Sequence, residues 1–510
     1  MTSATAILED LSAAGLLITH PAPKNNGLQP RFTLPNFVFE QGQWDEINDP
    51  LSYNGAASLP MPVEVSSKES LAPFFAHLKG DGSYLPVEGG VPGKEPYYNT
   101  EMLEFEKGVI YSDGRVDLCK MVTGPRNIGD LMDSLKPNTF AKHFLLGNNI
   151  IGPVGAKAIA AFIDEFPRRF ETWYLAGNCI DTAGFALLVN AMVKSPVITN
   201  VWLKRNPLGT AAAQDVFRLI TQSKALRTLD LDQTELGDAG VAMVFSMLAD
   251  ADQPVALRHI YLNACGVGPR ACKEISRYLS TRNCQLTSLY MSNNPIGHSL
   301  ALLASGVAAS CLTRLSLQSC GLGDTGTVPF LEAVIKYPTL KVLDLGQSYA
   351  TKDLGMRYNW LTCTAVLVRV VQANTLQYLN IAHSPMPSAD LNQILYAAVE
   401  SSSLLWLQMK ALAVGGRSYA DIKAGQEYRR MMEHVRKRLH ANVAEQYKMP
   451  YLEFEAGQKR FMLSPDDVRL IDSVYRNRDA GLARRGLKHL QKWWEDDDET
   501  LQRVQDGEIV

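Results

Sequence analysis

A signature of the form apolar-x-Leu-x-x-(Asn, Cys, Thr or Ser)-x-apolar returns through the middle of this chain at a nearly constant interval. Its second apolar position falls at Leu118, Leu146, Leu175, Leu203, Leu231, Leu262, Met291, Leu317, Leu345, Ile381 and Leu407. The successive steps are 28, 29, 28, 28, 31, 29, 26, 28, 36 and 26 residues. Three residues after that position stand Asn149, Asn178, Asn206, Thr234, Cys265, Asn294, Cys320, Ser348 and Ser384. A small hydrogen-bonding side chain suits a place where the chain turns inward off a strand, because the backbone groups of that turn are beyond the reach of a sheet ladder. Two residues further on, Ile151, Ile180, Leu208, Leu236, Val267, Ile296 and Leu322 return to the core.

After the turn, most units carry a small residue and then apolar residues three and four apart, as in Gly155, Ile159 and Phe162, or Gly240, Met243, Val244 and Met247. That spacing makes one helical face apolar. Each unit therefore reads as a short strand, a turn and a helix of about three turns, and none can bury its apolar side without stacked neighbours. The pattern resembles the ribonuclease-inhibitor-like type of leucine-rich repeat, over roughly residues 110–412. The resemblance implies an α/β solenoid, or horseshoe, of about 10–11 repeats with a parallel inner sheet and outer helices. Met121 and Lys410, at the turn position of the first and last units, suit atypical end caps. The longer unit from Leu345, through SYATKDLGMRYNWLTC, predicts a loop bulging from the strand-to-helix edge.

The flanks differ from the repeats. Residues 1–109 hold Pro and Gly clusters (PAPKNNG, LPMP, GGVPGKEP) and predict one amphipathic helix over 5–18, with mostly extended or loop segments capping the first coil. Residues 413–510 are charged and helical. Tyr428, Met431, Met432, Val435 and Leu439 share one face, and a later helix opens at Ser464-Pro465-Asp466-Asp467. The end is acidic from Glu495 to Glu499.

Composition removes several function classes. A formal net charge of -3 over 510 residues gives no reason to expect nucleic acid or an anionic membrane as the main partner. The start, MTSATAILEDLSAAG, lacks the layout of a secretory signal, and no apolar run reaches the length of a membrane-spanning helix. The eight cysteines, Cys119 to Cys363, lie inside the repeats without CxxC pairing, so buried thiols are expected and a metal site is not. The expected location is the cytoplasm, with the nucleus open.

Gly321, Gly323 and Gly326 form a literal GxGxxG after a strand, with Asp344 following, as in a dinucleotide fingerprint. The repeat explains them without a cofactor: Gly326 shares its register with Gly155, Gly184 and Gly240, and Gly266-x-Gly268-x-x-Ala271 copies the coincidence in an earlier unit. No Walker-type, HExxH or GxSxG sequence is present, so neither an enzyme nor a cofactor is expected. His143, His259 and His383 occupy strand positions in separate coils.

Strand residues alternate faces, so the residue between the two apolar positions of each unit faces the inner side. Those residues are Leu145, Tyr174, Trp202, Asp230, Tyr261, Tyr290, Ser316, Asp344, Asn380 and Trp406. Four aromatics in five consecutive coils, at about 4.8 Å per strand, make a stripe roughly 20 Å long. Lys204, Arg205, Asp232, Gln233, Asn263 and Asn293 flank it. Aromatic anchors with polar neighbours on a rigid sheet are the composition of a protein interface. The expected function is a monomeric interaction scaffold that binds a protein partner through Tyr174, Trp202, Lys204, Asp230, Asp232, Tyr261, Asn263 and Tyr290. Two alternatives stand beside it: a regulator similar to the Ran GTPase-activating proteins, which share this repeat type and an acidic region, and a substrate receptor of a ubiquitin ligase, for which no F-box-like helical segment precedes the repeats. A covering of the stripe by a terminal segment of the same chain is also open.

Overall fold

A computed structural model describes residues 53, 55, 58, 65–80, 82–94, 100–347, 359–381, 386–409, 418–455 and 499–510. Fourteen strands join in one sheet in chain order. The first three, β1 (Val91–Lys94), β2 (Glu101–Phe105) and β3 (Gly108–Tyr111), form an antiparallel meander. β4 (Arg115–Asp117) pairs antiparallel with β3, and from β4 onward every pairing is parallel. The parallel run continues through β5 (His143–Leu145), β6 (Thr172–Tyr174), β7 (Asn200–Trp202), β8 (Thr228–Asp230), β9 (His259–Tyr261) and β10 (Ser288–Tyr290). It ends with β11 (Arg314–Ser316), β12 (Val342–Asp344), β13 (Tyr378–Asn380) and β14 (Trp406–Gln408). Parallel neighbours need a crossover, and each crossover here is a helix, such as Gly152–Glu165, Thr182–Met192 or Gly237–Asp250.

Strand centres and helix faces share one continuous core. Phe144, Trp173, Val201, Leu229, Ile260, Leu289, Leu315, Leu343 and Leu379 sit in register across β5–β13 and are buried. The unit of 26 residues after Met291 saves length by winding Gly297–Leu303 as a 3-10 helix before the short helix Ala304–Ala309.

The turn residues act as the sequence predicts. Asn206 Nδ2 donates to the carbonyls of Leu175 (2.9 Å) and Leu203 (2.8 Å), while its Oδ1 accepts from the N–H of Asn178 (3.1 Å) and Ile180 (3.0 Å). Asn149, Asn178, Asn206 and Asn294 thus tie their own turns to the preceding coil, whereas Thr234 serves only its own turn. Cys265 fills the place with a thiol that donates to the Leu231 carbonyl. Burial pushes that thiol up to about 12, so it remains a donor.

Two register expectations are corrected. Ser348, expected as a turn residue, lies outside the described residues, and Asn359 takes the role. Its Nδ2 donates to the carbonyls of Leu317 (2.8 Å) and Leu345 (2.9 Å), and its Oδ1 accepts from Cys320 and Leu322 N–H. The extra length of this unit is therefore inserted ahead of the turn residue. In the last coil Leu407 pairs with Leu379, so Met409, not Leu407, is the counterpart of Ile381. A Leu two residues early mimicked the motif; the corrected step from Ile381 to Met409 is 28 residues.

Both ends are capped. The helix Lys68–Lys79, started by Ser67, buries Leu71, Phe74 and Leu78 against the first coil, within a segment expected to be mostly extended. The helix Tyr419–Tyr447 opens with a Ser418/Asp421 capping box and buries Met431, Val435, Leu439 and Val443. Its Asn442 Nδ2 donates to the carbonyls of Ser401 and Leu404, and Tyr428 OH to that of Met409. The expected helices over 5–18 and from Ser464, the acidic run before Glu499, His383, Ser384 and Lys410 lie outside the described residues. Among the described residues no helix is long and apolar enough to cross a membrane.

The GxGxxG stretch is structural. Gly321 has a φ of +66°, and a Cβ on Gly326 would come 2.8 Å from His298 Cα of the preceding coil. The Leu322 N–H, which a phosphate would need, is held by Asn359 Oδ1 at 3.1 Å.

Candidate functional site

The eight residues expected to bind a partner come together on the inner face of β6–β10 and the turns that follow. Parallel pairing puts Tyr174, Trp202, Asp230, Tyr261 and Tyr290 side by side in one row. The Tyr174 and Trp202 ring centroids are 5.5 Å apart, and those of Tyr261 and Tyr290 4.1 Å apart with planes only 3° from parallel. Trp202 and Tyr261 flank Asp230 yet lean together over it, with centroids at 5.4 Å. The four rings make a continuous row of contacts, one pair stacked and two tilted at 40° and 34°, and such aromatic pairs add roughly 0.5–1.5 kcal/mol each beyond area burial.

Asp230 supports the row from beneath. Its Oδ1 accepts the N–H of Asp232 at 2.8 Å, as Asp117 does from Cys119 (2.9 Å) and Asp344 from Gly346 (3.2 Å). These aspartates fix the chain as it leaves the strand, a local side-chain-to-backbone bond that residues of this type make readily.

Beside the aromatic row runs a polar ladder. Lys204 Nζ is 3.7 Å from Asp232 Oδ2, and Asp232 accepts from both the backbone and side-chain N–H groups of Asn263 at 2.8 and 3.1 Å. Asn263 Oδ1 then accepts from Ser292 N–H (2.7 Å), Ser292 Oγ from Gln318 N–H (3.0 Å), and Asp344 Oδ2 from Gln318 Nε2 (2.5 Å). Asp344 is deeply buried, and burial raises its carboxyl to about 6 against the pull of these hydrogen bonds. Arg205 Nε donates to Gln233 Oε1 at 3.2 Å.

Most of the aromatic row is enclosed. Tyr261 is 1% exposed, Tyr290 5% and Trp202 6%. Asp230 and Asp232 are buried as well, whereas Tyr174, Lys204 and Asn263 are half-buried. The described part of the N-terminal segment lies at the lip of this face. Asp238 N–H donates to the Tyr53 carbonyl (2.8 Å), Ser58 Oγ to the Gln233 carbonyl (2.6 Å), and Ser58 N–H to Glu235 Oε1 (2.7 Å). Gly266 and Gly268 make room for it: a Cβ on Gly266 would lie 2.5 Å from Gly55 N, and one on Gly268 2.3 Å from the Tyr53 ring.

Sequence reasoning missed Tyr378, whose ring is stacked with that of Trp406 at 6.4 Å and whose hydroxyl approaches Asp344 Oδ2 at 3.5 Å. Both rings occupy the first position of their strands, one row from where Trp406 was expected. His143 and His259 hydrogen-bond the hydroxyls of Thr172 and Ser288, each at 3.0 Å, and burial lowers the His143 pKa. No cluster of three metal-ligating side chains exists among the described residues.

Comparison with known proteins agrees with this architecture. A family model described as "Leucine Rich repeat" matches residues 308–331. The chain is a leucine-rich-repeat protein of the ribonuclease-inhibitor-like type. It is 21% identical over 344 residues to "Ribonuclease inhibitor" of Sus scrofa, covering 61% of this chain and 73% of that one. It is 33% identical over 153 residues to "NACHT, LRR and PYD domains-containing protein 12" of Mus musculus and 35% identical over 153 residues to the Homo sapiens protein of that name. Each of those matches covers 29% of this chain and 14% of the relative's length.

Proposed function

We propose that this chain is a protein-binding scaffold that holds a partner on its inner face, with Tyr174, Trp202, Tyr261 and Tyr290 as anchors and Lys204, Asp230, Asp232 and Asn263 as their polar flank. The single observation that carries the reading is the continuous row of four contacting rings bordered by a hydrogen-bonded polar ladder. A preorganised row of aromatics loses little conformational freedom on binding, which is what makes such residues dominate interfaces. The Trp202 indole N–H supports the same reading: it is buried without an acceptor, a costly state that a partner's carbonyl would relieve. The pig relative is named for inhibiting an enzyme, itself an act of binding another protein.

Access sets the order of events. A partner meets the half-buried Tyr174, Lys204 and Asn263 first, and reaches Tyr261 only where the row opens. The test therefore starts at the rim. Lys204→Glu, at the half-buried end of the ladder, should weaken capture of a partner by the intact protein at least tenfold and leave its thermal unfolding nearly unchanged. Equal capture by the variant and the wild type would remove this face from consideration. Neither GTPase activation nor ubiquitin-ligase recruitment gains an observation from the described residues.

A further inference from the structure

In six of the first eight coils the turn after the strand places the residue four beyond the inward Leu in left-handed backbone, with Pro207 and Pro295 at that place in the other two. Gly266 and Gly321 meet that demand without strain, at φ of +77° and +66°. The first three coils put side chains there instead: Val122 at +52°, Ile150 at +43° and Cys179 at +57°. A β-branched residue in this region is an outlier, and strain of this kind persists where the surroundings enforce it and marks sites of function. The side chains turn away from the main core and meet in a separate apolar cluster on the strand-to-helix edge, joined at its border by Val65.

Val504 completes that cluster. It belongs to the short helix Glu499–Gln505, near the end of the sequence, and is 0% exposed. Val510 packs at the border. Gly152, at φ +59°, admits the helix backbone: a Cβ there would lie 2.7 Å from the Val504 carbonyl oxygen. The capping helix of the last coil precedes this segment in the chain, yet the segment sits on the first coils. Seven residues are too few to hold a helix in water unaided, and one fully buried valine is a slender anchor.

We propose that Val122, Ile150 and Cys179 form a docking site for a short helix with one buried aliphatic anchor and a second aliphatic residue just beyond its end, and that the chain's own segment Glu499–Val510, with Val504 and Val510, is its tethered, exchangeable occupant. The strained residues are the receiving surface, and the valines are the ligand. Occupancy is intramolecular and reversible, and it controls whether the edge of the first three coils is open to any helix of the same pattern.

The full-length chain tests this with two lesions. Ile150→Asn removes the apolar receiver but suits left-handed backbone, so the tail should lose amide protection at 499–507 at least tenfold in hydrogen exchange while thermal unfolding stays unchanged. A purely structural role for Ile150 predicts lower thermal stability with the tail still protected. Val504→Asp frees the site from the other side; its folding is checked by circular dichroism. The labelled peptide ETLQRVQDGEIV should bind the Val504→Asp chain at least tenfold more tightly than the wild type, whose own tail competes, and should not bind the Ile150→Asn/Val504→Asp chain. Equal binding to all three chains, or none to Val504→Asp, overturns the proposal. So does a concentration-dependent wild-type dimer that Val504→Asp abolishes, because the occupant would then come from a second copy.

Discussion

Replacing Asn206 by Leu keeps the number and branching of the side-chain heavy atoms and removes every hydrogen bond that the side chain makes. Asn206 is fully buried, and its amide serves the carbonyls of Leu175 and Leu203 and the N–H groups of Asn178 and Ile180. Leu would leave all four bare. A buried polar group that loses its partner costs about 1–3 kcal/mol, so four cost at least about 4 kcal/mol even if the turn relaxes. That is a large share of the 5–15 kcal/mol that typically holds a folded protein together. Thr at the same position should do less harm, since Thr234 shows that a hydroxyl can reach the carbonyl three residues back, at 2.7 Å. Urea unfolding of the two variants and the wild type gives the comparison directly. A cost below about 1 kcal/mol for Asn206→Leu, or a larger cost for Thr than for Leu, would refute the reasoning that these side chains, and not apolar burial alone, bind coil to coil.

Other consequences follow from the inner face and the thiols. Tyr261→Ala removes a fully buried, stacked ring and should cost about 3–5 kcal/mol in chemical denaturation, which makes it a poor probe of binding; a cost near zero would mean that the ring is not enclosed. Asp344 has its carboxyl raised to about 6, so the folded state takes up a proton that the unfolded chain releases at lower pH. Its contribution to stability is therefore fully present below about pH 4 and is lost as pH rises to about 6, by at most about 3 kcal/mol. Asp344→Asn should flatten that part of the stability profile between pH 4 and 6, and an unchanged profile would contradict it. In a native thiol titration at pH 8, exposed Cys311 should react first. Cys265, buried and pushed up to about 12, should react only after unfolding; early modification of Cys265 would show that the coil is open there.

The fold was legible because stacking copies one local pattern. The interval, the inward Leu and the turn residue each answer a backbone requirement that recurs in every coil, so Asn149, Asn178, Asn206 and Asn294 could be placed before any coordinates. The same local logic failed where a side chain outside the pattern met the requirement. Asn359 serves a turn whose expected residue was Ser348, because the hydrogen bonds constrain only where the amide ends up and not how much chain precedes it. Leu407 imitated an inward Leu because the last coil has apolar residues at alternate positions, and only pairing with Leu379 resolves the register. The aromatic row was readable from strand alternation, but its burial was not. Exposure depends on what lies above the sheet, and periodicity carries no information about that. The apolar edge of Val122, Ile150 and Cys179 was invisible for a related reason: these residues point outward only because their backbone is left-handed, which no hydropathy pattern suggests.

The central claim is that each unit is an interchangeable coil docked on its predecessor. Deleting residues 175–202, one complete unit from Leu175 to Trp202, joins Tyr174 to Leu203 in register. Far-ultraviolet circular dichroism with urea unfolding measures the outcome. The account predicts a shorter chain that keeps its helix and sheet signal and still unfolds cooperatively, whereas loss of that signal would contradict it.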